Sequence, residues 1–116
     1  MEINGEIVND QVRYADLGLS PELMRAIDKK GYVQATPVQG GSIPYFMEYK
    51  DVIAKAPTGT GKTFAFGIPM VEHIDPESRD VQGLVLAPTR ELAVQIQEEL
   101  RDLCEFKEGG RTVCLY

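Results

Sequence analysis

A glycine-rich turn between two apolar segments constrains this chain more than any other feature of its sequence. The turn reads A-P-T-G-T-G-K-T at residues 56–63. The apolar run at residues 51–56 leads into it, and an apolar stretch at residues 61–73 follows. The first run has the length and composition of a buried strand, and the second is long enough for a helix. The sequence therefore predicts a strand that turns directly into the N-terminus of a helix.

The composition of this turn suits a bound phosphate tail. Gly59 and Gly61 carry no side chain, so phosphates can approach the backbone amides closely at the positive end of the helix dipole. In the pattern G-x-x-x-x-G-K-[ST], the lysine reaches the β- and γ-phosphates and the hydroxyl binds Mg²⁺. Lys62 and Thr63 stand at these positions as the predicted catalytic residues, whereas Ala56 replaces the first glycine. The turn predicts a nucleotide site with these contacts: Thr58, Gly59, Thr60, Gly61, Lys62 and Thr63.

Local signals place three more helix boundaries along the chain. Ser20 and Pro21 predict the start of a helix that Gly31 ends, because serine caps a helix and proline suits its first position. Thr36 followed by proline predicts a second helix that runs towards Met47. A helix capped by Thr89 carries apolar residues on one face, namely Leu92, Ile96, Leu100 and Leu103.

Apolar runs at residues 83–87 and 111–115 flank this last helix and read as two further buried strands. Strands that alternate with helices predict a parallel sheet with right-handed crossovers. We therefore predict an α/β fold, a three-layer parallel-sheet P-loop NTPase domain that is truncated after the third strand. Residues 1–13 are expected to be an irregular lead-in, and residues 14–116 the N-terminal part of the domain.

Composition excludes two other classes of protein. The 116 residues contain 12 Lys and Arg against 18 Asp and Glu, a net charge of −6, which argues against a polycation that holds nucleic acid by charge alone. The longest apolar run covers residues 64–71, which is too short for a membrane-spanning helix. We therefore expect a cytoplasmic protein without membrane contact.

Two flanking motifs narrow the function. Residues 31–39 read GYVQATPVQ, and an isolated aromatic residue, Tyr14, lies seventeen positions before Gly31. Residues 88–93 read PTRELA. Together with the turn, these segments resemble the Q motif, motif I and motif Ia of the DEAD-box RNA helicases of superfamily 2. That family uses the form A-x-T-G-T-G-K-T, which explains Ala56, but it has Pro or Cys where this chain has Ala35.

The resemblance implies a RecA-like fold and assigns roles to individual residues. It implies that the Gln39 amide selects ATP, since one donor and one acceptor match the N7 and N6 edge of adenine, and that Tyr14 stacks on the base. Thr36 would couple the Q motif to the phosphate-binding turn, and the predicted cofactors are ATP and Mg²⁺. The implied RNA contacts, to backbone phosphates and independent of base sequence, are Pro88, Thr89 and Arg90.

Some of these residues also have simpler interpretations. Tyr14 could be a core aromatic residue, and Thr36 could be only a helix cap. Arg90 lies in the first turn of a helix, where its positive charge opposes the helix dipole. A bound phosphate would make a cation favourable at this position; the alternative is a surface ion pair.

For the whole protein, the resemblance implies an ATP-dependent RNA helicase with a second RecA-like domain in the remainder of the core. No D-E-A-D sequence lies within these 116 residues, so we expect the chain alone to be catalytically incompetent. The alternatives are another P-loop NTPase, such as a nucleotide kinase, or a non-catalytic binding module.

Overall fold

The computed structural model describes residues 2–3, 6–7, 12–54 and 61–115, and four α-helices provide most of the regular structure in them. These helices are α1 (Pro21–Lys29), α2 (Pro37–Met47), α3 (Lys62–Glu72) and α4 (Arg90–Leu103). A single turn of 3₁₀ helix covers Tyr14–Asp16. Two short strands, β1 (Glu2–Ile3) and β2 (Glu6–Ile7), pair antiparallel within the predicted lead-in. Within this described part of the chain, no helix has the length and apolar character needed to cross a membrane.

The helices begin where the local signals predicted, and α1 ends before Gly31 as predicted. The Ser20 hydroxyl accepts a hydrogen bond from the Leu23 N–H at 3.4 Å, and the Thr89 hydroxyl accepts one from the Leu92 N–H at 3.2 Å. Each bond satisfies an amide that has no partner inside its helix. Gly31 follows α1 with a φ of +80°, the left-handed conformation that commonly ends a helix.

The predicted parallel sheet is not confirmed. No strand is formed within residues 81–87 or 111–115, nor within residues 51–54; residues 55–56 of the first predicted strand lie outside the described residues. A ladder forms only where two extended segments lie within hydrogen-bonding distance of each other. Residues 50–52 and 84–86 instead line a common groove of about 670 Å³, so open space lies between the first two predicted strands.

The side chains of these segments nevertheless alternate as they would in a strand. Leu84 and Leu86 are exposed, whereas the residue that follows each of them, Val85 and Ala87, is half-buried. The same alternation marks residues 111–115, where Val113 and Leu115 are exposed. A period of two is the signature of a chain with one covered and one uncovered side, so these segments have strand-like burial without strand pairing.

The core lies between the helices, with α3 in contact with α1, α2 and α4. Its fully buried side chains come from all four helices and include Leu23, Ile27, Ile43, Ile68 and Leu103. This arrangement fixes the start of α3, and with it the end of the glycine-rich turn, against the rest of the molecule.

A long-range backbone contact joins the segment before α1 to the segment before α2. The Ala35 N–H donates to the Val12 carbonyl at 2.8 Å, and the Tyr14 N–H donates to the Val33 carbonyl at 3.1 Å. Arg13 and Gln34 form an antiparallel bridge between these bonds. These bonds, and the contact of β1 with α2, show that residues before Tyr14 also pack against the helices, while the domain boundary at residue 14 stays a prediction.

Candidate functional site

Gln39 connects three separate segments of the chain. It is the third residue of α2 and is only 3% exposed. Its Oε1 accepts hydrogen bonds from the Tyr14 hydroxyl and from the Thr36 N–H, the second at 3.0 Å. Its Nε2 donates to the Gly61 carbonyl at 3.2 Å. One buried amide therefore joins the segment before α1, the start of α2 and the end of the glycine-rich turn.

Local structure and one long-range contact explain this meeting point. A glutamine at the third position of a helix reaches back to the backbone N–H of the capping residue, and here that residue is Thr36. The bridge between Arg13 and Gln34 then brings Tyr14 beside the same amide. The first of these contacts is encoded within four residues, whereas the second depends on the fold.

Tyr14 lies inside the core. It is 2% exposed and packs with the buried side chains of α1, α2 and α3. Burial raises the pKa of its hydroxyl to about 12. This position offers no open ring face for the base stacking predicted for Tyr14, because Tyr14 instead holds the amide of Gln39.

Tyr32 is an aromatic residue of the Q motif to which the sequence reasoning assigned no role. It is 49% exposed, and its ring contacts the ring of Phe64 edge-on, with centroids 5.7 Å apart and planes at 66°. Phe64 follows Thr63 directly, so Tyr32 lies beside the first turn of α3. The aromatic second position of the motif was the signal that could have identified it.

Gly61 marks the point where the glycine-rich turn becomes α3. Its φ of +82° is left-handed, and a Cβ atom there would lie 2.2 Å from the Gln39 Nε2 and 3.2 Å from the Thr36 hydroxyl oxygen. Any side chain at this position would therefore displace Gln39. Glycine is required here both for the backbone conformation and for the close approach of α2.

The first turn of α3 has the groups that a phosphate tail requires. Gly61 supplies no side-chain cap, so no capping side chain competes for the first amides of the helix. Lys62 is exposed, and the hydroxyl-bearing Thr63 is half-buried. The Thr36 hydroxyl oxygen, close to Gly61, is buried and has no hydrogen-bond partner in the described part of the chain. The residues present fit a nucleotide with Mg²⁺; of the predicted contacts, Thr58, Gly59 and Thr60 lie outside the described residues.

The predicted RNA contacts are grouped at the start of α4, on a different helix from Gln39. Pro88, Thr89 and Arg90 are all exposed. Thr89 caps α4 as predicted, and Arg90 is its first residue. The geometry therefore places a cation next to the amide end of a helix, an arrangement suited to an anion.

Comparison with known proteins identifies the family. The model of the DEAD/DEAH box helicase family matches residues 36–116, which is most of the chain. The chain belongs to the DEAD/DEAH box helicase family. This membership confirms the resemblance drawn from the Q motif, the glycine-rich turn and PTRELA, and it excludes the nucleotide-kinase alternative.

Individual relatives agree with this assignment. The DEAD-box ATP-dependent RNA helicase CshA of Bacillus subtilis (strain 168) is 55% identical over 98 residues, which are 84% of this chain and 20% of that protein. The ATP-dependent RNA helicase CshA of Listeria monocytogenes is 47% identical over 104 residues, which are 90% of this chain and 20% of that protein. The chain thus spans about one fifth of the length of these DEAD-box relatives.

Solved structures show the same likeness. Dbp5 of S. cerevisiae bound to RNA and ADP BeF3 matches with a TM-score of 0.75 and 32% identity, over 83% of this chain and 25% of that one. A DEAD box protein from Methanococcus jannaschii matches with a TM-score of 0.75 and 32% identity, over 86% of this chain and 30% of that one. These likenesses support a RecA-like fold for the chain.

Proposed function

We propose that this chain is the N-terminal part of the first RecA-like domain of a cytoplasmic ATP-dependent RNA helicase. In this proposal the Q motif and the glycine-rich turn bind ATP, and the PTRELA segment binds RNA phosphates. The complete protein would hydrolyse ATP with RNA bound and separate short duplexes. A second RecA-like domain in the remainder of the core would complete the catalytic site.

The observation that carries the proposal is the hydrogen bond from the Gln39 Nε2 to the Gly61 carbonyl at 3.2 Å. It connects the residue proposed to recognise the base with the residue at which the phosphate-binding turn enters α3. A base contact at Gln39 and a phosphate contact at residues 61–63 would therefore be held in one fixed relation. A binding site whose contacts are already in place loses less conformational entropy when the ligand binds.

Four side chains would hold the nucleotide in this proposal. Gln39 would contact the adenine edge, and the exposed ring of Tyr32 offers a stacking surface that the buried Tyr14 lacks. Lys62 would contact the β- and γ-phosphates, and the Thr63 hydroxyl would be a ligand of Mg²⁺. The bound Mg²⁺ would neutralise phosphate charge and orient the oxygens for transfer.

Arg90 and the capped start of α4 would bind an RNA phosphate. An exposed cation at a helix N-terminus is unfavourable by itself, and a phosphate there would contact both the guanidinium group and the helix amides. A contact of this kind carries no base identity. RNA binding at this site is therefore proposed to be independent of sequence.

The finer architecture also belongs to the proposal. The alternating burial of residues 83–87 and 111–115 supports two strands of a parallel sheet in the complete domain. The groove beside residues 50–52 and 84–86 leaves space between the first two of its predicted strands. We propose that the chain alone turns over essentially no ATP. The 116 residues contain no D-E-A-D sequence, whose acidic side chains would organise Mg²⁺ and the attacking water.

Calorimetric titration of the purified chain with MgADP tests the binding proposal. Lys62→Ala should weaken MgADP binding about tenfold or more, because a charge-assisted contact to phosphate is lost. Lys50→Ala is the matched control, since Lys50 is also exposed but pairs with Glu48 at 3.0 Å. Equal affinity for MgADP in the wild type and Lys62→Ala would contradict the phosphate assignment.

A separate assay tests the proposed catalytic incompetence of the chain alone. RNA-stimulated ATP hydrolysis by the chain would contradict it.

A further inference from the structure

The contact between Tyr32 and Phe64 joins two parts of the candidate site. Tyr32 lies after α1 in the Q motif, and Phe64 lies in the first turn of α3, directly after Thr63. Their ring centroids are 5.7 Å apart and their planes meet at 66°, which is an edge-to-face arrangement. The contact therefore connects the exposed ring proposed to stack on the base with the helix turn proposed to hold the phosphates.

Phe64 is the fixed partner in this pair. It is 6% exposed and belongs to the core between the helices, whereas Tyr32 is 49% exposed. The Lys30 ammonium lies 5.9 Å from the centroid of the Phe64 ring and pairs with Asp102 of α4 at 2.8 Å. Because the core and Lys30 hold the Phe64 ring in place, this ring presents a constant surface to Tyr32.

The backbone on both sides of Tyr32 is held by hydrogen bonds, so its side chain is the part that is left to orient. The Gly31 N–H donates to the Asp28 carbonyl at 2.9 Å, and the Val33 carbonyl accepts from the Tyr14 N–H at 3.1 Å. A side chain has several staggered conformations, and an edge-on contact with a fixed ring favours one of them. The orientation matters because a base stacks on the face of an aromatic ring.

We propose that Phe64 is a positioning residue for the nucleotide: its ring fixes the orientation of Tyr32 and thereby strengthens stacking on the base. This role rests on the proposed nucleotide binding and extends it to a residue that has no assigned contact with the nucleotide. Phe64 acts through Tyr32, so the ring of Phe64 strengthens the binding of ligands that carry a base and of no others.

Calorimetric titration with a ligand that has a base and one that lacks it tests this role. MgADP carries a base and phosphates, whereas magnesium pyrophosphate carries phosphates alone. Phe64→Leu keeps a buried apolar side chain but removes the ring, so it should weaken MgADP binding about threefold to tenfold, the equivalent of one aromatic contact. The dissociation constant of magnesium pyrophosphate should not change. A merely structural role for Phe64 would weaken the binding of both ligands by the same factor.

The same measurements in a Tyr32→Ala background isolate the contact between the two rings. Tyr32→Ala by itself should weaken MgADP binding and leave pyrophosphate binding unchanged. In that background Phe64→Leu should cause no further loss, because no ring is left to orient. Phe64→Met also lacks a ring and should reproduce the effect of Phe64→Leu. Urea unfolding of each variant verifies that the comparison is made between folded proteins.

The results that would overturn this role can be distinguished. An unchanged ratio of the two dissociation constants in Phe64→Leu and Phe64→Met, or an equal loss with and without Tyr32, contradicts the positioning role alone. Unchanged MgADP binding by Tyr32→Ala contradicts the proposed stacking on Tyr32. Failure of both ligands to bind the folded wild-type chain contradicts the proposed nucleotide binding, and the positioning role fails with it.

Discussion

Tyr49 is the residue with the least expected backbone conformation. Its φ of +60° is left-handed, and it is the one non-glycine residue with a positive φ in the described part of the chain. It is the second residue after the end of α2, at a position where glycine commonly ends a helix. Tyr49 is 78% exposed, and its ring stacks on the ring of His73, with centroids 4.1 Å apart and planes at 12°. The stacking contact offsets part of the backbone strain at this turn.

Two substitutions separate these opposing effects. Tyr49→Ala removes the stacked ring and keeps the strain, whereas Tyr49→Gly removes both. The Gly variant should therefore have a free energy of unfolding about 1 kcal/mol higher than the Ala variant. Urea denaturation measures the difference, and equal stability of the two variants would mean that the turn is not strained.

The raised pKa of Tyr14 predicts that the free energy of unfolding depends on pH in the alkaline range. Its pKa is raised from 10.0 to about 12 in the folded protein, so the folded state holds this proton more tightly than the unfolded state does. The resulting stabilisation is fully present below pH 10 and is lost as the pH rises from 10 to about 12. Urea unfolding across this range should show a steeper loss of stability for the wild type than for Tyr14→Phe. Parallel curves for the two proteins would contradict the raised pKa.

At the scale of elements, capping residues determine where the helices begin, and contacts between the helices hold them together. Arg25 of α1 lies over the Phe106 ring at 4.1 Å, just beyond the end of α4. Lys30, which follows α1, pairs with Asp102 of α4 at 2.8 Å. Exposed pairs of this kind contribute little stability, so burial between the helices must provide most of it.

The cap of α4 gives a test at this scale. Thr89→Ala should lower the free energy of unfolding by about 1 kcal/mol, because the Leu92 N–H loses its acceptor. Thr89→Ser keeps a hydroxyl in the same place and should retain most of the stability. Thermal or urea unfolding of the two variants measures this difference, and an Ala variant as stable as the Ser variant would show that the cap contributes nothing.

The helices could be predicted from the sequence because their signals are local. Ser20 and Thr89 each lie within three residues of the amide that they cap, and Gln39 lies within three residues of the Thr36 N–H from which it accepts. The sheet could not be confirmed in the same way, since pairing depends on neighbours distant in the chain. The role of Gln39 was predicted from its motif, but its contact with Tyr14 required the bridge between Arg13 and Gln34. The burial of Tyr14 could not be predicted from the sequence, because an aromatic residue can pack in a core or stack on a ligand.

On the scale of the whole molecule, apolar side chains remain uncovered. Five of them are between 75% and 88% exposed and lie in the three predicted strand segments: Ile53, Leu84, Leu86, Val113 and Leu115. Exposed apolar surface of this extent is unusual for a monomer and promotes association. Within the described residues, the segments 83–87 and 111–115 form no strand, and unpaired extended backbone can accept another chain.

Self-association of the chain should therefore depend on the exposed side of residues 83–87. Replacing Leu84 and Leu86 together with Ser should reduce the association measured by sedimentation velocity and leave the free energy of unfolding within about 0.5 kcal/mol. Val85→Ser is the matched control: Val85 is half-buried, so its substitution should destabilise the fold without reducing association. An unchanged sedimentation profile for the double variant would contradict this account.

The pairing of residues 12–14 with residues 33–35 has a practical consequence for any shortened form of the protein. The family match begins at Thr36, so a chain trimmed to that border would keep every matched residue. It would also discard Tyr14, and the amide of Gln39 would face a hole where an aromatic ring had been. The family match is thus narrower than the packed part of the chain, and experiments on this domain should keep the packed part.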